Sequence, residues 1–322
     1  MPRSAVTSSP EAQLADFIRA EWQAEQPSAI LKAAEAARRR FGDSVAGVLF
    51  YGSCLRTGEV DGKVVDFYVL VDSYRGTYGG RVMALANRLL PPNVFYVETE
   101  ADGITVRSKV AVISLDDFDR RTRPSCLNVS VWARFSQPCV LLLARDGAVE
   151  ARVAGAVARA VTTMLGAVLP LAPRPATARD LWTLAFDRTY AAELRSERRG
   201  KGLELYLLDQ DRYDRIAEPA LDALRVSPDH PLRGGLARKQ PNRARAMAAR
   251  ALWAVRTVEG KTASLARLIK AAFTFDGGID YLAWKISRHS GVEITLTPWQ
   301  RRHPILAGLM LFWRLRRQGA FR

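Results

Sequence analysis

Three residues, two just after one apolar segment and one within the next, are the best candidates in this chain for binding a ligand or for catalysis. Gly52 and Ser53 follow the apolar run Val48–Tyr51, and Asp66 lies within the apolar run Val64–Asp72. Backbone N–H groups and a hydroxyl at the end of a buried strand can bind phosphate oxygens. A carboxylate that the next strand brings to the same place can hold Mg²⁺ against those phosphates. The spacing therefore predicts a Mg²⁺-dependent phosphate site at one edge of a sheet.

This layout resembles that of the nucleotidyltransferases, which carry Gly-Gly or Gly-Ser and then two carboxylates on one strand face. The position of the second carboxylate is occupied here by Tyr68. Asp72 has the correct strand parity, but six residues at roughly 3.3 Å each place it about 20 Å along the strand from Asp66. An ordinary Gly-Ser turn between two strands is the alternative interpretation of the motif.

The amino-acid composition limits the classes of protein to which this chain can belong. The chain has 322 residues, of which 48% are hydrophobic and 25% charged, as in a globular protein of two modest domains or of one domain with a helical appendage. Three cysteines without a CxxC motif and three scattered histidines predict neither a disulfide framework nor a zinc site. No stretch reaches eighteen uninterrupted apolar residues and no secretory signal is evident, so we expect a cytoplasmic protein, peripheral on the inner face of the membrane.

The positive charge is concentrated in the last third of the chain. Residues 231–322 contain 18 Lys or Arg and 4 Asp or Glu, a net charge of +14 out of +15 for the whole chain. Aromatic residues such as Trp284, Trp299 and Trp313 are interleaved with these cations. This combination favours an amphipathic segment at an anionic membrane surface. A basic helix packed on the rest of the protein and an RNA-binding tail are the alternatives.

Apolar periodicity predicts the order of the elements. Predicted strands are Ser44–Tyr51, Val64–Asp72, Asn93–Thr99, Ile104–Leu115 and a segment near Pro138–Leu143. Predicted helices are Pro10–Gln23, Ser28–Phe41, Arg81–Leu90, Asp116–Arg121, Ala148–Leu169, Thr177–Arg198 and Asp211–Leu224. The predicted linkers are Pro170–Pro175 and Pro228–Pro241.

We therefore expect an α+β fold with three consecutive parts. Residues 1–145 are predicted to form a nucleotidyltransferase-like mixed sheet with flanking helices. Residues 146–230 are predicted to form a helical domain. Residues 231–322 are predicted to form a basic, amphipathic C-terminal segment that associates with membranes.

Several segments together resemble one branch of the nucleotidyltransferases, the mitochondrial translocator assembly and maintenance family of peripheral CDP-diacylglycerol synthases. Tyr51-Gly52-Ser53 and the run Asp66–Asp72 match motifs of that family, which likewise lacks the second carboxylate. Further similar segments are Lys109 with Val112-Ile113-Ser114, Ala133-Arg134-Phe135 before Pro138, Tyr190–Arg195, and Ser264–Lys270 before Phe273-Thr274.

The resemblance implies that CTP and phosphatidic acid react to CDP-diacylglycerol and pyrophosphate, with Mg²⁺ as the cofactor. It implies that Asp66 is the metal ligand and that Asp66, Lys109 and Arg134 are catalytic. The implied substrate-binding residues are Tyr51, Gly52, Ser53, Tyr68, Glu193, Arg195 and Lys270. The expected partners are CTP, phosphatidic acid and an anionic membrane surface, without nucleic acid.

A site poor in carboxylates is compatible with this reaction. A hydroxyl nucleophile must lose a proton and benefits from a carboxylate base. A phosphomonoester is already ionised near neutral pH, because its second pKa is about 6. Asp66 has the strongest case for a functional role, since a lone carboxylate in an apolar strand is costly to bury.

Other roles remain open for the remaining residues. Lys109 alternatively faces solvent, and Arg134 alternatively pairs with a carboxylate on its own helix. Tyr68 either packs in the core or stacks on the cytosine base, and Asp72 alternatively caps the end of its strand. Glu98 and Glu100 are further candidates for the metal shell.

Two other functional classes fit the same residues. One is a nucleotidyltransferase whose acceptor is an RNA end, a protein hydroxyl or a small-molecule hydroxyl. The other is a non-catalytic, nucleotidyltransferase-like module that docks on membranes.

Overall fold

The computed structural model describes residues 9–173, 175–193, 200–226, 243–274 and 297–302. Three sequence predictions therefore lie outside the described residues: Arg195, the linker Pro228–Pro241, and most of the basic segment after position 274.

The strands form one five-stranded mixed sheet of order β3-β4-β2-β1-β5. Their bounds are β1 Val45–Tyr51, β2 Val64–Val71, β3 Asn93–Ala101, β4 Ile104–Ser114 and β5 Cys139–Ala144. Each lies within two residues of its predicted limits. The apolar runs of β1 and β2 and the apolar alternation of β3 and β4 thus indicated these strands correctly.

Helices flank the sheet, and the prediction of an α+β fold with a mixed sheet is confirmed. The first eight helices are α1 Pro10–Glu21, α2 Ser28–Phe41, α3 Ser53–Thr57, α4 Tyr74–Thr77, α5 Arg81–Leu89, α6 Leu115–Arg121, α7 Trp132–Phe135 and α8 Gly147–Val168. The others are α9 Ala178–Ala192, α10 Lys201–Leu207, α11 Gln210–Ala223, α12 Arg243–Thr274 and α13 Pro298–Arg302. The short helices α3, α4, α7 and α10 and the long helix α12 were not predicted with these bounds.

The chain divides into two compact units that differ from the three consecutive parts expected. One, here called the helical unit, comprises the described parts of Met1–Glu25 and Ser114–Leu265. The other, here called the sheet unit, comprises Gln26–Ile113 and the described residues from Ala266 onward. Both units are thus discontinuous in sequence, whereas the sequence prediction assumed that each part is continuous.

In the sheet unit, α2 covers β1 and β3. Its buried residues Ile30, Ala33, Ala34, Ala37 and Phe41 recur at helical spacing and so form one apolar face. The ring of Phe41 meets that of Phe95 edge-on, with centroids 5.3 Å apart. These contacts hold β1 against the core of this unit.

A tight hairpin joins β3 and β4. Ala101 pairs with Ile104, and the two residues between them, Asp102 and Gly103, have φ of 52° and 79°. Two consecutive positive φ values are the signature of a two-residue hairpin turn. Asp102 accepts hydrogen bonds from Ser28 and Lys32 of α2, which ties the turn to that helix.

The helical unit has its own core. Helix α1 packs against α8 and α11, and α9 packs against α10. The rings of Trp182, Phe186 and Tyr213 lie within 5.7 Å of one another by centroid, and the Trp182 indole donates to the Tyr213 carbonyl at 2.9 Å. Arg212, whose side chain is 4% exposed, forms a bidentate pair with Glu21 of α1.

Two close backbone approaches in the helical unit require glycine. A Cβ on Gly260 of α12 would overlap the carbonyl oxygen of Ala192 at the end of α9. A Cβ on Gly202 of α10 would overlap the Thr183 carbonyl oxygen of α9. Because backbone atoms have little room to yield, neither position accommodates a side chain.

One segment of the helical unit meets the length and composition of a membrane span, contrary to expectation. Gly147–Leu171, which is α8 and the turn after it, has a mean hydropathy of 1.5 over its most apolar window. However, 61% of that window is buried inside the protein. Its environment is that of a core helix.

Candidate active site

The pairing of β1 with β2 sets the geometry of the predicted phosphate site. The strands are antiparallel, and Tyr51 at the end of β1 lies directly opposite Asp66 near the start of β2. Directly opposed residues in an antiparallel pair project from the same face of the sheet. Asp66 is half-buried, whereas its neighbours Val65 and Phe67 are fully buried. The Asp66 carboxylate therefore occupies the more open face, beside the end of β1.

Gly52 lies against this carboxylate. Its backbone has φ 92° and ψ −161°, a region that only glycine occupies readily. A Cβ placed on Gly52 would lie 2.8 Å from Oδ2 of Asp66. Glycine at position 52 thus serves two purposes: it permits the turn, and it leaves room for the Asp66 carboxylate. The predicted meeting of the Gly-Ser segment with Asp66 is present.

Ser53 and Cys54 are the first two residues of helix α3, and they differ in exposure. Ser53 is exposed, so its hydroxyl is accessible to a ligand. Cys54 is 2% exposed, and its Sγ donates to the carbonyl oxygen of Val64 at 3.4 Å. Burial, and next the negative charge of Asp66, raise the pKa of the Cys54 thiol. Cys54 is therefore a neighbour of Asp66, the candidate metal ligand. Sequence reasoning missed Cys54, although it directly follows Gly52 and Ser53.

The two tyrosines of the site contact each other. Their rings meet edge-on with centroids 5.5 Å apart. Tyr51 is half-buried, but Tyr68 is only 1% exposed. This burial favours the packing alternative for Tyr68, and its stacking on a nucleotide base stays a prediction.

Lys109 and Arg134, the two predicted catalytic cations, lie in different units. Lys109 is half-buried on β4, which neighbours β2 in the sheet, and it pairs with Tyr96 of β3. Arg134 lies on α7 in the helical unit, where its Nη1 donates to the Ser130 carbonyl at 3.1 Å. The structure therefore gives Lys109 a strand adjacent to Asp66, and the catalytic roles of both residues stay predictions.

Glu193 and Lys270, which were predicted from a looser similarity to the family motifs, are in environments that differ from that of Asp66. Glu193 is half-buried and follows the last residue of α9. Lys270 donates from Nζ to the carbonyl oxygens of Leu90 and Pro92 and to Oδ1 of Asn93, the last at 2.9 Å. These three acceptors match the three protons of an ammonium group. That arrangement supports a structural role for Lys270, and its contact with a substrate stays a prediction.

Other carboxylates considered for the metal shell lie elsewhere in the sheet unit. Asp72 is exposed beyond the end of β2, and its N–H donates to the Ser44 carbonyl next to the opposite end of β1. Glu98 and Glu100 lie on β3, which β4 separates from β2. Glu98 accepts from Tyr96 Oη at 2.8 Å, and Glu100 accepts from Thr105 at 2.7 Å.

Within the described ranges, no group of three or more His, Cys, Asp or Glu is arranged to hold a metal ion. Proteins nevertheless bind Mg²⁺ with one or two carboxylates when phosphate oxygens and water complete its shell. The half-buried Asp66 carboxylate beside the Gly52 backbone fits an ion that arrives with a nucleotide. It does not provide an all-protein cage.

No protein-family model matches this chain, and no curated protein matches it.

Proposed function

We propose that this protein is a Mg²⁺-dependent phosphatidate cytidylyltransferase, which converts CTP and phosphatidic acid to CDP-diacylglycerol and pyrophosphate at a membrane surface. The observation that carries the proposal is the apposition of Gly52 and Asp66, with Oδ2 only 2.8 Å from where a Cβ on residue 52 would lie. This apposition supports a site in which backbone and carboxylate approach one triphosphate from two strands.

Each residue of the site has a distinct task in this reaction. Gly52 leaves room for the Asp66 carboxylate beside the turn, and the exposed Ser53 hydroxyl donates to the triphosphate oxygens. Asp66 holds Mg²⁺, which when bound neutralises the triphosphate and orients its oxygens. The cation of Lys109 stabilises the charge that spreads over the phosphates in the transition state.

The bond changes are those of an in-line displacement. An oxygen of the phosphatidate phosphate forms a bond with the α-phosphorus of CTP, and the bond from that phosphorus to the β-phosphate oxygen breaks. Pyrophosphate leaves with the electron pair of the broken bond. No proton needs to be removed from the attacking oxygen, because a phosphomonoester with a second pKa of about 6 is largely ionised at neutral pH.

Strand β2 carries no carboxylate besides Asp66, which supports a phosphate acceptor over a hydroxyl acceptor. The position two residues on is the buried Tyr68, and Asp72 lies at the other end of the strand. A hydroxyl acceptor would benefit from a general base that this arrangement does not offer from β2. The same feature is shared with the family that the sequence resembles.

Helix α12 supports the membrane part of the proposal. Met247, Val255, Val258 and Leu265 are between 51% and 66% exposed and recur at helical spacing. The exposed cations Arg243, Arg250 and Lys261 lie along one side of this apolar stripe when the helix is drawn at 100° per residue. An apolar stripe flanked by cations suits the boundary of an anionic bilayer.

A vesicle assay tests the proposal. Purified protein, Mg²⁺ and each of the four radiolabelled nucleoside triphosphates are incubated with vesicles that contain phosphatidate. We expect CTP alone to give a labelled lipid, and we expect Asp66→Asn to abolish it while Asp72→Asn does not. Failure of the wild-type protein to exceed Asp66→Asn with every nucleotide would refute the cytidylyltransferase. Label appearing in RNA or protein instead would indicate a hydroxyl acceptor.

A further inference from the structure

Arg256, in the middle of α12, is a buried cation in the helical unit. The residue is 3% exposed. Its guanidinium carbon lies 5.4 Å from the ring centroid of Trp132 and 5.2 Å from that of Trp253. Its Nη2 donates to the Pro124 carbonyl at 3.3 Å. The charge is therefore enclosed by two indoles and by the loop between α6 and α7.

Among the described residues, neither a carboxylate nor a second hydrogen-bond acceptor is paired with this guanidinium. In the described part of the chain, Arg256 has no ion pair, and its Nε and Nη1 are buried without a hydrogen-bond partner. Glu259, one turn further along α12, accepts instead from the amide of Asn128, at 3.0 and 2.9 Å. Burial lowers the pKa of Arg256, as expected for a cation removed from water without a counter-ion.

The indole of Trp132, whose ring faces Arg256, also has an unsatisfied donor. Its Nε1 is buried and has no hydrogen-bond partner in the described structure. Among the described residues, this nitrogen and the Nε and Nη1 of Arg256 are therefore three buried nitrogen donors that no hydrogen bond satisfies. Indole faces attract a cation but offer its in-plane N–H groups no oxygen. A bound water would satisfy hydrogen bonds, yet it would leave the charge unbalanced.

We propose that Arg256 is the centre of an anion-binding site in the helical unit, which takes an oxyanion such as a phosphate or carboxylate group through Nε and Nη1. A planar guanidinium presents two parallel N–H groups that suit the two oxygens of such a group. This site lies in a different unit from Gly52 and Asp66 and does not depend on the proposed function.

Access runs through the loop between α6 and α7. Arg123, Pro124 and Ser125 are exposed, and Leu127 is 40% exposed. Because Nε and Nη1 are fully covered, an anion enters only when this loop shifts, and protection of the loop requires that it close again over the bound anion. Cys126 is half-buried within the loop, and its Sγ donates to the Asn128 carbonyl at 3.4 Å. Its reaction with a small alkylating reagent therefore reports on the loop.

The experiment measures alkylation of Cys126 by iodoacetamide in the full-length protein, followed by mass spectrometry. Cys139, which is 3% exposed, serves as the internal reference. Sodium phosphate, sodium acetate and sodium chloride are compared at equal ionic strength. We expect phosphate or acetate to slow the reaction saturably, by about tenfold at ten times its dissociation constant.

Substitutions test whether Arg256 is responsible. We expect Arg256→Met to lose the protection and Arg256→Lys to weaken it, since an ammonium lacks the guanidinium fork. Arg245→Met, which removes an exposed cation of the same helix that does not flank the apolar stripe, should keep it. If Arg256→Met folds poorly by circular dichroism, Arg256→Lys and the wild-type titration decide the matter.

Equal rates in phosphate, acetate, chloride and phosphatidate vesicles, or equal protection in the Arg256 variants and Arg245→Met, would overturn the proposal. Vesicles of phosphatidylcholine with and without phosphatidate form a final arm. Protection by phosphatidate vesicles but not by free phosphate supports the site with a lipid headgroup as its source. Protection by free phosphate supports it with a soluble ligand.

Discussion

Oδ2 of Asp66 lies 2.8 Å from the point where a Cβ on Gly52 would stand, so the glycine and the carboxylate share one space. The two residues are thirteen positions apart in sequence and meet because Tyr51 pairs with Asp66 across β1 and β2. A glycine is commonly explained by its backbone angles alone. Here the neighbouring carboxylate imposes an equally strict requirement, and the two requirements can be separated by experiment.

The first prediction concerns Gly52→Ala. The change forces φ 92° on an L-residue and displaces the Asp66 carboxylate, so we expect the free energy of unfolding to fall by about 1–3 kcal/mol. We also expect Mg²⁺-dependent CTP binding to be lost. Gly103→Ala is the matched control, because φ is 79° there and no atom lies within 4 Å of the added Cβ. Urea denaturation and calorimetric titration measure both effects; CTP binding that survives in Gly52→Ala would contradict the prediction.

The second prediction concerns the electrostatic link between Asp66 and Cys54. Because the negative charge of Asp66 disfavours the thiolate, Asp66→Asn should lower the pKa of Cys54, although burial keeps it above that of an exposed thiol. A pH titration of the Cys54 ¹³Cβ resonance in a Cys126→Ser background measures the pKa. Asp72→Asn removes a carboxylate at the other end of β2 and should leave it unchanged. A change of equal size in the pKa of Cys54 in both variants would contradict a specific electrostatic effect of Asp66 on Cys54.

The third prediction separates the structural and substrate-binding interpretations of Lys270. Its ammonium donates to the carbonyls of Leu90 and Pro92 and to Asn93, so Lys270→Met leaves several part-buried acceptors unsatisfied. We expect a loss of about 1–3 kcal/mol in the free energy of unfolding and no change in KM for CTP. Lys261→Met, at an exposed position of the same helix, is the control and should be nearly neutral. A raised KM without loss of stability would favour the substrate role.

The fourth prediction concerns the ion pair in the core of the helical unit. Arg212 and Glu21 meet with Nε 2.6 Å from Oε1, and Nη1 of Arg212 also donates to the Ser136 carbonyl at 3.1 Å. Glu21→Gln leaves the buried guanidinium uncompensated, and we expect it to cost about 3 kcal/mol of unfolding free energy. Glu11→Gln, at an exposed position in the first turn of α1, should cost less than about 1 kcal/mol. Similar losses in both variants by denaturant titration would show that the buried pair is not special.

The sheet and the centre of the site could be predicted from the sequence, because both depend on local patterns. The bounds of α2 were predicted without error, since Ser28–Phe41 carries one apolar face and is followed by Gly42 at φ 65°. The hairpin at Asp102 and Gly103 likewise follows from its residue types. The meeting of Gly52 with Asp66 required only that two consecutive apolar runs pair as antiparallel strands.

What could not be predicted depends on contacts between distant segments. The last third of the chain looks like a cationic surface segment by composition, yet Trp253 and Arg256 of α12 are 2% and 3% exposed. A charge count does not reveal that one face of a basic helix is buried. Arg134 was grouped with Asp66 through the resemblance, whereas contacts place it in the helical unit. Cys54 was missed because a single cysteine beside a motif has no periodic signal.

The close approach of α12 to the end of α9 at Gly260 can help to identify distant homologues. A chain that keeps the crossing of α12 over the end of α9 must keep a residue without a side chain there, whatever else has diverged. The same restriction applies where Gly202 meets α9 and where Gly52 meets Asp66. Distant homologues should therefore be recognisable by three invariant glycines at these spacings, even where overall sequence identity has been lost.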